Sequence, residues 1–201
     1  MNTWIESISN GFTIAIIYGI LLFIPGLAVT LLVKGKKFNI AKYALNILFF
    51  GYMCCVFALV FLPLPTSDTE LNGYLIQVIP GYCLYDIVKA PSMGKIAQVL
   101  FNIVMTIPFG AYLKYYWKMN IKKVTILSLS LTLFIEIAQL TGLFFLYSGS
   151  YRFCDIDDII CNTLGGVIGA CITARCTFLP DLDKFDSTFL HLMHREKTVT
   201  Y

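Results

Sequence analysis

The chain has 201 residues, of which 58% are hydrophobic and only 13% are charged, and its net charge is +3. A soluble domain usually has about 25% charged residues, so this composition excludes an ordinary water-soluble protein and indicates a membrane protein. The small net charge provides no basic surface of the kind that binds nucleic acid, so we expect no nucleic-acid partner.

Five apolar runs are long enough to cross a bilayer, because about 20 helical residues span its hydrocarbon core. They cover residues 11–33, 43–62, about 96–117, 124–147 and about 157–178. None alternates with a period of two, which favours helices over strands. The first run has no basic residue before it and no small-residue cleavage site after it, so we expect it to remain as a span. The predicted fold class is all-α: a polytopic helical membrane protein of about five transmembrane helices in one domain (1–178), with a polar tail (179–201).

The basic residues predict the orientation. Twelve of the fifteen lysines and arginines lie between the first two runs, around the third and fourth runs, or at the end of the fifth run and after it, in segments that would share one side. Only Lys89, Lys95 and Arg152 remain for the other side. By the positive-inside rule the N-terminus is then outside and the C-terminus is cytoplasmic. The basic loops could contact anionic lipid of the inner leaflet.

The predicted outer segments have two further features. Residues 63–95 begin with turn-forming residues and continue with a stretch too apolar for a loop and too short to span, which is typical of an amphipathic segment lying on the membrane surface. Cys83 and Cys154 both fall outside the spans and could form a disulfide, although spacing alone does not show that they are close.

Polar and small residues recur at helical spacing in three of the spans, so each span has a polar face. We expect these faces to meet in a shared interior. The residues are Asn102 and Thr106 in the third span; Ser128, Thr132, Glu136 and Gln139 in the fourth; and Asp158, Asn162, Gly166 and Gly169 in the fifth.

The charged groups in and beside these spans require an explanation, because charge is costly within a membrane. Glu136 lies near the middle of its predicted span, where an acidic residue costs roughly 2.5 to 3.5 kcal/mol. Asp155, Asp157 and Asp158 open the fifth helix, where the helix dipole favours carboxylates. Arg152, just before them, is placed to pair with a carboxylate or to bind an anionic headgroup.

Purely structural explanations are also open. Gly165, Gly166 and Gly169 allow close helix packing. Asn102, Thr132 and Gln139 could form interhelical hydrogen bonds, and Asp155 and Asp157 could cap helices. A buried Glu136–Arg152 pair could hold helices in register.

Three segments together resemble the VanZ-like family of bacterial membrane proteins: "NIVMTIPFG", "SLSLTLFIEIAQL" and "RFCDIDDIICNTLGGVIG". The resemblance covers about residues 59–170. It implies a plasma-membrane protein of a Gram-positive or related bacterium, in a family whose founding member is associated with resistance to teicoplanin, a lipid-tailed glycopeptide. The residues that match the family pattern are Asn102, Pro108, Phe109, Gly110, Glu136, Gln139, Arg152, Asp155, Asp157, Asp158, Asn162 and Gly165.

The leading functional hypothesis is a resistance protein with a polar pocket open to the outer leaflet. Its partners would be membrane lipids and either a teicoplanin-like antibiotic or a lipid-linked peptidoglycan precursor. The expected binding residues are Asn102, Glu136, Gln139, Arg152, Asp155, Asp158 and Asn162.

Two other functions stay open. In a membrane enzyme acting on a lipid headgroup, Glu136 and Asp158 would be acid and base and Arg152 would stabilise phosphate charge. A small-solute or proton-coupled transporter is less well supported, because the sequence has no inverted repeat and no paired broken helices. The cysteines have no metal-like spacing, and we expect no cofactor or metal.

Overall fold

The computed structural model describes residues 39–61, 73, 76–147, 149–150 and 152–182. The predicted first span (11–33), most of the segment 62–75 and the end of the tail lie outside the described residues. The chain divides into two units, one of residues 1–62 and 176–201 and one of residues 63–175.

The described part of the first unit contains helix α1, Ile40–Phe61. The helix begins at Asn39, whose Oδ1 accepts a hydrogen bond from the Lys42 amide (2.8 Å) and so caps the first turn. The Asn39 side chain also donates to the carbonyl of Leu182 (2.7 Å). This helix corresponds to the second predicted span.

The second unit is mostly helical and contains the residues singled out by the sequence. Its elements are β1 (Ile76–Gln77), α2 (Tyr82–Lys89), α3 (Met93–Tyr115), α4 (Ile121–Leu140), α5 (Gly142–Phe145), β2 (Cys154–Asp155) and α6 (Ile156–Arg175). The two strands are parallel, with Ile76 opposite Cys154 and Gln77 opposite Asp155. They join the segment before α2 to the start of α6.

Helices α3 and α6 run in parallel and approach unusually closely. A Cβ atom on Gly165 would overlap the carbonyl oxygen of Ile103, and one on Gly169 would overlap that of Ile107. The absence of side chains at these two positions therefore allows backbone to meet backbone, as in small-residue packing of membrane helices. The close packing predicted for these glycines is confirmed.

Helix α4 runs antiparallel to α3 and α6 and ends earlier than expected. The predicted run continues to residue 147, but the helix stops at Leu140. Gly142 to Phe145 have φ values of 56° to 69°, which form one left-handed turn and redirect the chain. Glu136 consequently lies close to the end of its helix and not at mid-span.

Three helices of the described part are long and apolar enough to cross a membrane: Ala41–Phe61, α3 and α6. Helix α4, the predicted fourth crossing, is not one of these; it contains Lys122, Lys123 and Glu136. The number of five spans and their orientation stay predictions.

Candidate functional site

The polar faces of α3 and α6 are in contact along their length. The Asn102 side-chain amide donates to Asp158 Oδ1. One turn further, Thr106 Oγ1 donates to the carbonyl of Asn162 (2.6 Å), and another turn on, Gly110 packs on the carbonyl of Gly166. Each step of four residues along α3 is therefore matched by a step of four residues along α6, so the two parallel helices stay in register.

Helix α4 completes this register from the opposite direction. Ser128 Oγ lies directly against Gly166, and the Glu136 and Asp158 carboxylates are close enough for their charges to repel each other. Thr132 lies four residues from both Ser128 and Glu136, and Asn162 lies four residues from both Gly166 and Asp158. The same register therefore places Thr132 opposite Asn162. The three helices thus form three layers, which are Asn102–Glu136–Asp158, Thr106–Thr132–Asn162 and Gly110–Ser128–Gly166.

Beyond the third layer the interior becomes apolar. Leu113, Val124 and Ala170 form a buried cluster at this end. The polarity of the interior therefore decreases from the end with three aspartates to the end closed by hydrocarbon.

Glu136 is the most buried carboxylate in the outermost layer, with 3% of its surface exposed. Its Oε2 accepts a hydrogen bond from the Asp155 amide (3.1 Å), and the thiol of Cys154 is also hydrogen-bonded to it. These contacts attach the end of α4 to the strand that leads into α6.

The neighbouring aspartates cap two different helices. Asp155 Oδ1 accepts from the Asp157 amide (2.8 Å) and so caps α6, its own helix, as predicted. The Asp157 carboxylate accepts from the amides of Gly81 (2.6 Å) and Cys83 (2.8 Å). Asp157 therefore caps α2 and fastens it to α6.

A cavity of about 190 Å³ opens between α2, the start of α3 and the start of α6. Its polar lining includes Asp86, Lys95, Gln98, Asp155 and Asp158. Lys95 forms an ion pair with Asp86 (2.8 Å), so three aspartates and one lysine leave an excess of two negative charges at full ionisation. Burial raises the pKa of the Asp155 carboxyl, which favours its neutral form.

The family model described as VanZ/LLP1 matches residues 49–178. The chain belongs to the VanZ/LLP1 family. This match confirms the resemblance, and together with the membrane-span-like helices it makes the chain a VanZ-like membrane protein. Searches of curated proteins and of solved structures gave no match.

The expected binding residues of this VanZ-like protein occupy different positions. Asp155 and Asp158 line the cavity. Asn102 and Glu136 do not line the cavity but contact residues that do: Asn102 donates a hydrogen bond to the Asp158 carboxylate, and Glu136 accepts one from the Asp155 amide.

The remaining three expected residues do not line this cavity. Asn162 and Gln139 are buried, with 3% and 7% of their surface exposed. Arg152 is half-buried, and its carbonyl accepts a hydrogen bond from Ser150 Oγ. The Glu136–Arg152 pair stays a prediction.

Sequence reasoning missed several polar residues of the lining, among them Asp86, Lys95 and Gln98. A signal existed for two of them, because Lys95 and Gln98 precede Asn102 by seven and four residues and extend the polar face of α3. Asp86 has no comparable signal, because it reaches the cavity only when Asp157 fixes α2 against α6.

Cys83 and Cys154 are free thiols, so the disulfide considered from the sequence is not formed. Burial, reinforced by the neighbouring carboxylates of Asp157 and Glu136 respectively, raises the pKa of each thiol to about 11. Both are therefore protonated and weakly nucleophilic near neutral pH. Among the described residues, no set of three or more His, Cys, Asp or Glu side chains is arranged to hold a metal ion.

Proposed function

We propose that this VanZ-like protein crosses the bacterial plasma membrane several times and confers or modulates resistance to lipoglycopeptide antibiotics of the teicoplanin type. In this proposal the cavity faces outward and binds either the antibiotic or a lipid-linked peptidoglycan precursor. The observation that carries the proposal is a polar cavity built on two membrane-span-like helices, α3 and α6.

The cavity suits a ligand with a polar head and an apolar tail. Asp155 and Asp158 would accept hydrogen bonds from hydroxyl, amide or ammonium groups, and Lys95 would donate to a carboxylate or phosphate. The outward face of α3 exposes Leu100 (55%) and Val104 (59%). An acyl tail could lie along this apolar face while the head occupies the cavity.

Arg152 and the deeper polar residues have supporting roles in this proposal. Arg152 would contact an anionic group at the edge of the site. Asn102 and Glu136 would hold the two cavity aspartates in position through the contacts described above, and Asn162 and Gln139 would satisfy polar groups deeper in.

The test is teicoplanin susceptibility of a sensitive Gram-positive host that expresses the protein. We expect resistance from the wild type and loss to the level of the empty vector for Asp158→Asn, Glu136→Gln and Arg152→Ala. Asp181→Asn, an exposed carboxylate outside the cavity, is the matched control and should keep resistance. Immunoblots of membrane fractions establish equal abundance.

Two results would count against the proposal. Resistance that survives all three substitutions would make the charged cluster architectural. A wild type that gives no resistance at normal abundance would remove the antibiotic role itself.

The close pair of carboxylates, Glu136 and Asp158, favours a second candidate: an enzyme acting on a lipid headgroup or cell-wall lipid precursor. One carboxyl would act as acid and the other as base, because repulsion between them favours a state with one proton. Conversion of a lipid substrate by the purified protein, abolished by Glu136→Gln, would support the enzyme; binding without conversion would support the resistance protein.

A further inference from the structure

Three buried oxygen atoms in the layered interior have no hydrogen-bond partner in the described part of the chain: Ser128 Oγ, Thr132 Oγ1 and Asn162 Oδ1. Their residues are 2%, 1% and 3% exposed. Buried polar groups are nearly always hydrogen-bonded, and an unpaired one destabilises the folded state. Such a concentration of unpaired oxygens points to a ligand.

Two of these oxygens face the same space. Thr132 on α4 lies opposite Asn162 on α6. This follows from the helical register, because Ser128 contacts Gly166 one turn away in one direction and Glu136 interacts with Asp158 one turn away in the other. Glu136 and Asp158 lie one turn away on the same faces. By this register, two carboxylates, an amide and a hydroxyl lie within one helical turn of each other on two facing helices.

The chemistry of these groups selects a cation. All four offer oxygen, which hard cations prefer. A proton shared by Glu136 and Asp158 would relieve their repulsion but would leave the oxygens of Asn162 and Thr132 unpaired. A water molecule would pair those oxygens but would offset neither carboxylate charge.

The charge of the ion follows from the same set. Two of the four ligands are neutral, and Asp158 already accepts a hydrogen bond from Asn102. The cost of dehydrating an ion rises with the square of its charge, so a buried site with this many neutral ligands favours a single charge. The N-terminus of α6, which begins at Ile156, adds positive potential nearby and stabilises the carboxylate charge that a monovalent ion leaves uncompensated.

We propose that a monovalent cation, Na⁺, binds between α4 and α6, coordinated by Glu136, Asp158, Asn162 Oδ1 and Thr132 Oγ1. The ion lies directly behind the cavity wall formed by Asp158. The site shares Glu136, Asp158 and Asn162 with the proposed resistance function, but Na⁺ binding requires no occupant in the cavity and can be measured without antibiotic.

The first experiment uses the purified full-length protein in detergent. Its melting temperature is measured in increasing NaCl, with choline chloride keeping the ionic strength constant. We expect the melting temperature to rise with Na⁺ concentration, and ²²Na⁺ to bind saturably. Equal melting temperatures in both salts, or a rise on acidification that is insensitive to Na⁺, would overturn the proposal.

Variants separate the site from a general salt effect. Thr132→Val should abolish the rise with Na⁺ while leaving the protein at least as stable in choline chloride, since it removes an unpaired hydroxyl. Asn162→Ala should also lose the Na⁺ response. Thr125→Val is the matched control on the same helix, because the Thr125 hydroxyl is already bonded to the Ile121 carbonyl (2.9 Å). A Na⁺ response that persists in Thr132→Val and Asn162→Ala would contradict the assignment.

Discussion

At the scale of single residues, the glycines of α6 determine how close two helices can lie. Gly165 and Gly169 face the backbone of α3, and Gly166 faces Ser128 on α4. Consecutive glycines therefore serve two different neighbours, because adjacent residues of a helix point about 100° apart. No side chain can be added on either side without moving a helix.

Gly165→Ala should destabilise the protein. The new Cβ would meet the Ile103 carbonyl, which is backbone and cannot move independently, so we expect a loss of about 1 to 3 kcal/mol and a lower melting temperature of the detergent-solubilised protein. Gly94→Ala is the control, because the nearest atom to its Cβ is the Ser92 hydroxyl at 3.6 Å. Equal melting temperatures for Gly165→Ala and the wild type would show that α3 and α6 are not in close contact.

The aspartates show how far the sequence alone can lead. The stretch from Asp155 to Asp158 indicates the start of a helix, and that helix is present. The separate roles of its members could not be read from the sequence, because the partners of Asp157 and Asp158 come from the start of α2 and from α3, 56 to 76 residues away. Spacing along a helix predicts which residues share a face, but not which distant segment meets that face.

At the scale of elements, α2 depends on a carboxylate from another helix. Its N-cap residue is Gly81, which has no side chain to cap the first turn, and the helix has only eight residues. A helix this short is marginal without tertiary contacts. The two hydrogen bonds that the Gly81 and Cys83 amides donate to Asp157 therefore fix α2, and with it the Asp86 side of the cavity.

Asp157→Ala should loosen α2 selectively. Loss of a cap costs about 1 to 2 kcal/mol, so we expect faster hydrogen–deuterium exchange of the amides at the start of α2, measured by mass spectrometry. Asn120→Ala is the matched control: it removes the cap of α4, where Asn120 Oδ1 accepts from the Lys123 amide (2.9 Å), and should affect α4 alone. Unchanged exchange in α2 would refute the capping role.

The end of α4 is an element that the sequence did not predict. Residues 143–147 are as apolar as the helix before them, so hydrophobicity gave no reason to stop at Leu140. The left-handed turn begins at Gly142, and a single glycine in an apolar run is a weak signal. This turn is why Glu136 lies in the outermost layer beside Asp158.

At the scale of the whole molecule, the predicted topology makes a demand on helix direction. Successive crossings must alternate, and α3 and α6 run one way while α4 runs the other. Lys118, in the connection after α3, and Lys122, in the first turn of α4, lie at the end opposite the cavity. This arrangement is what the positive-inside rule requires if the cavity faces outward.

Alkaline phosphatase fusions test this topology, because the enzyme is active only outside the cytoplasm. We expect activity for fusions after Pro91 and Gly149 and none after Lys118. Fusions to green fluorescent protein, which fluoresces in the cytoplasm, provide the reciprocal control. An inactive fusion after Gly149 beside an active one after Pro91 would mean that α4 does not cross the membrane.

The layered interior also restricts where the chain can change length. Each helix contributes to all three layers at two four-residue steps, so its outermost and innermost members are eight residues apart: Asn102 and Gly110, Ser128 and Glu136, Asp158 and Gly166. An insertion of one residue inside any of these intervals would rotate the rest of that helix by about 100° and remove it from register. Natural insertions and deletions should therefore collect in the connections, such as residues 146–153, and leave these three intervals unchanged.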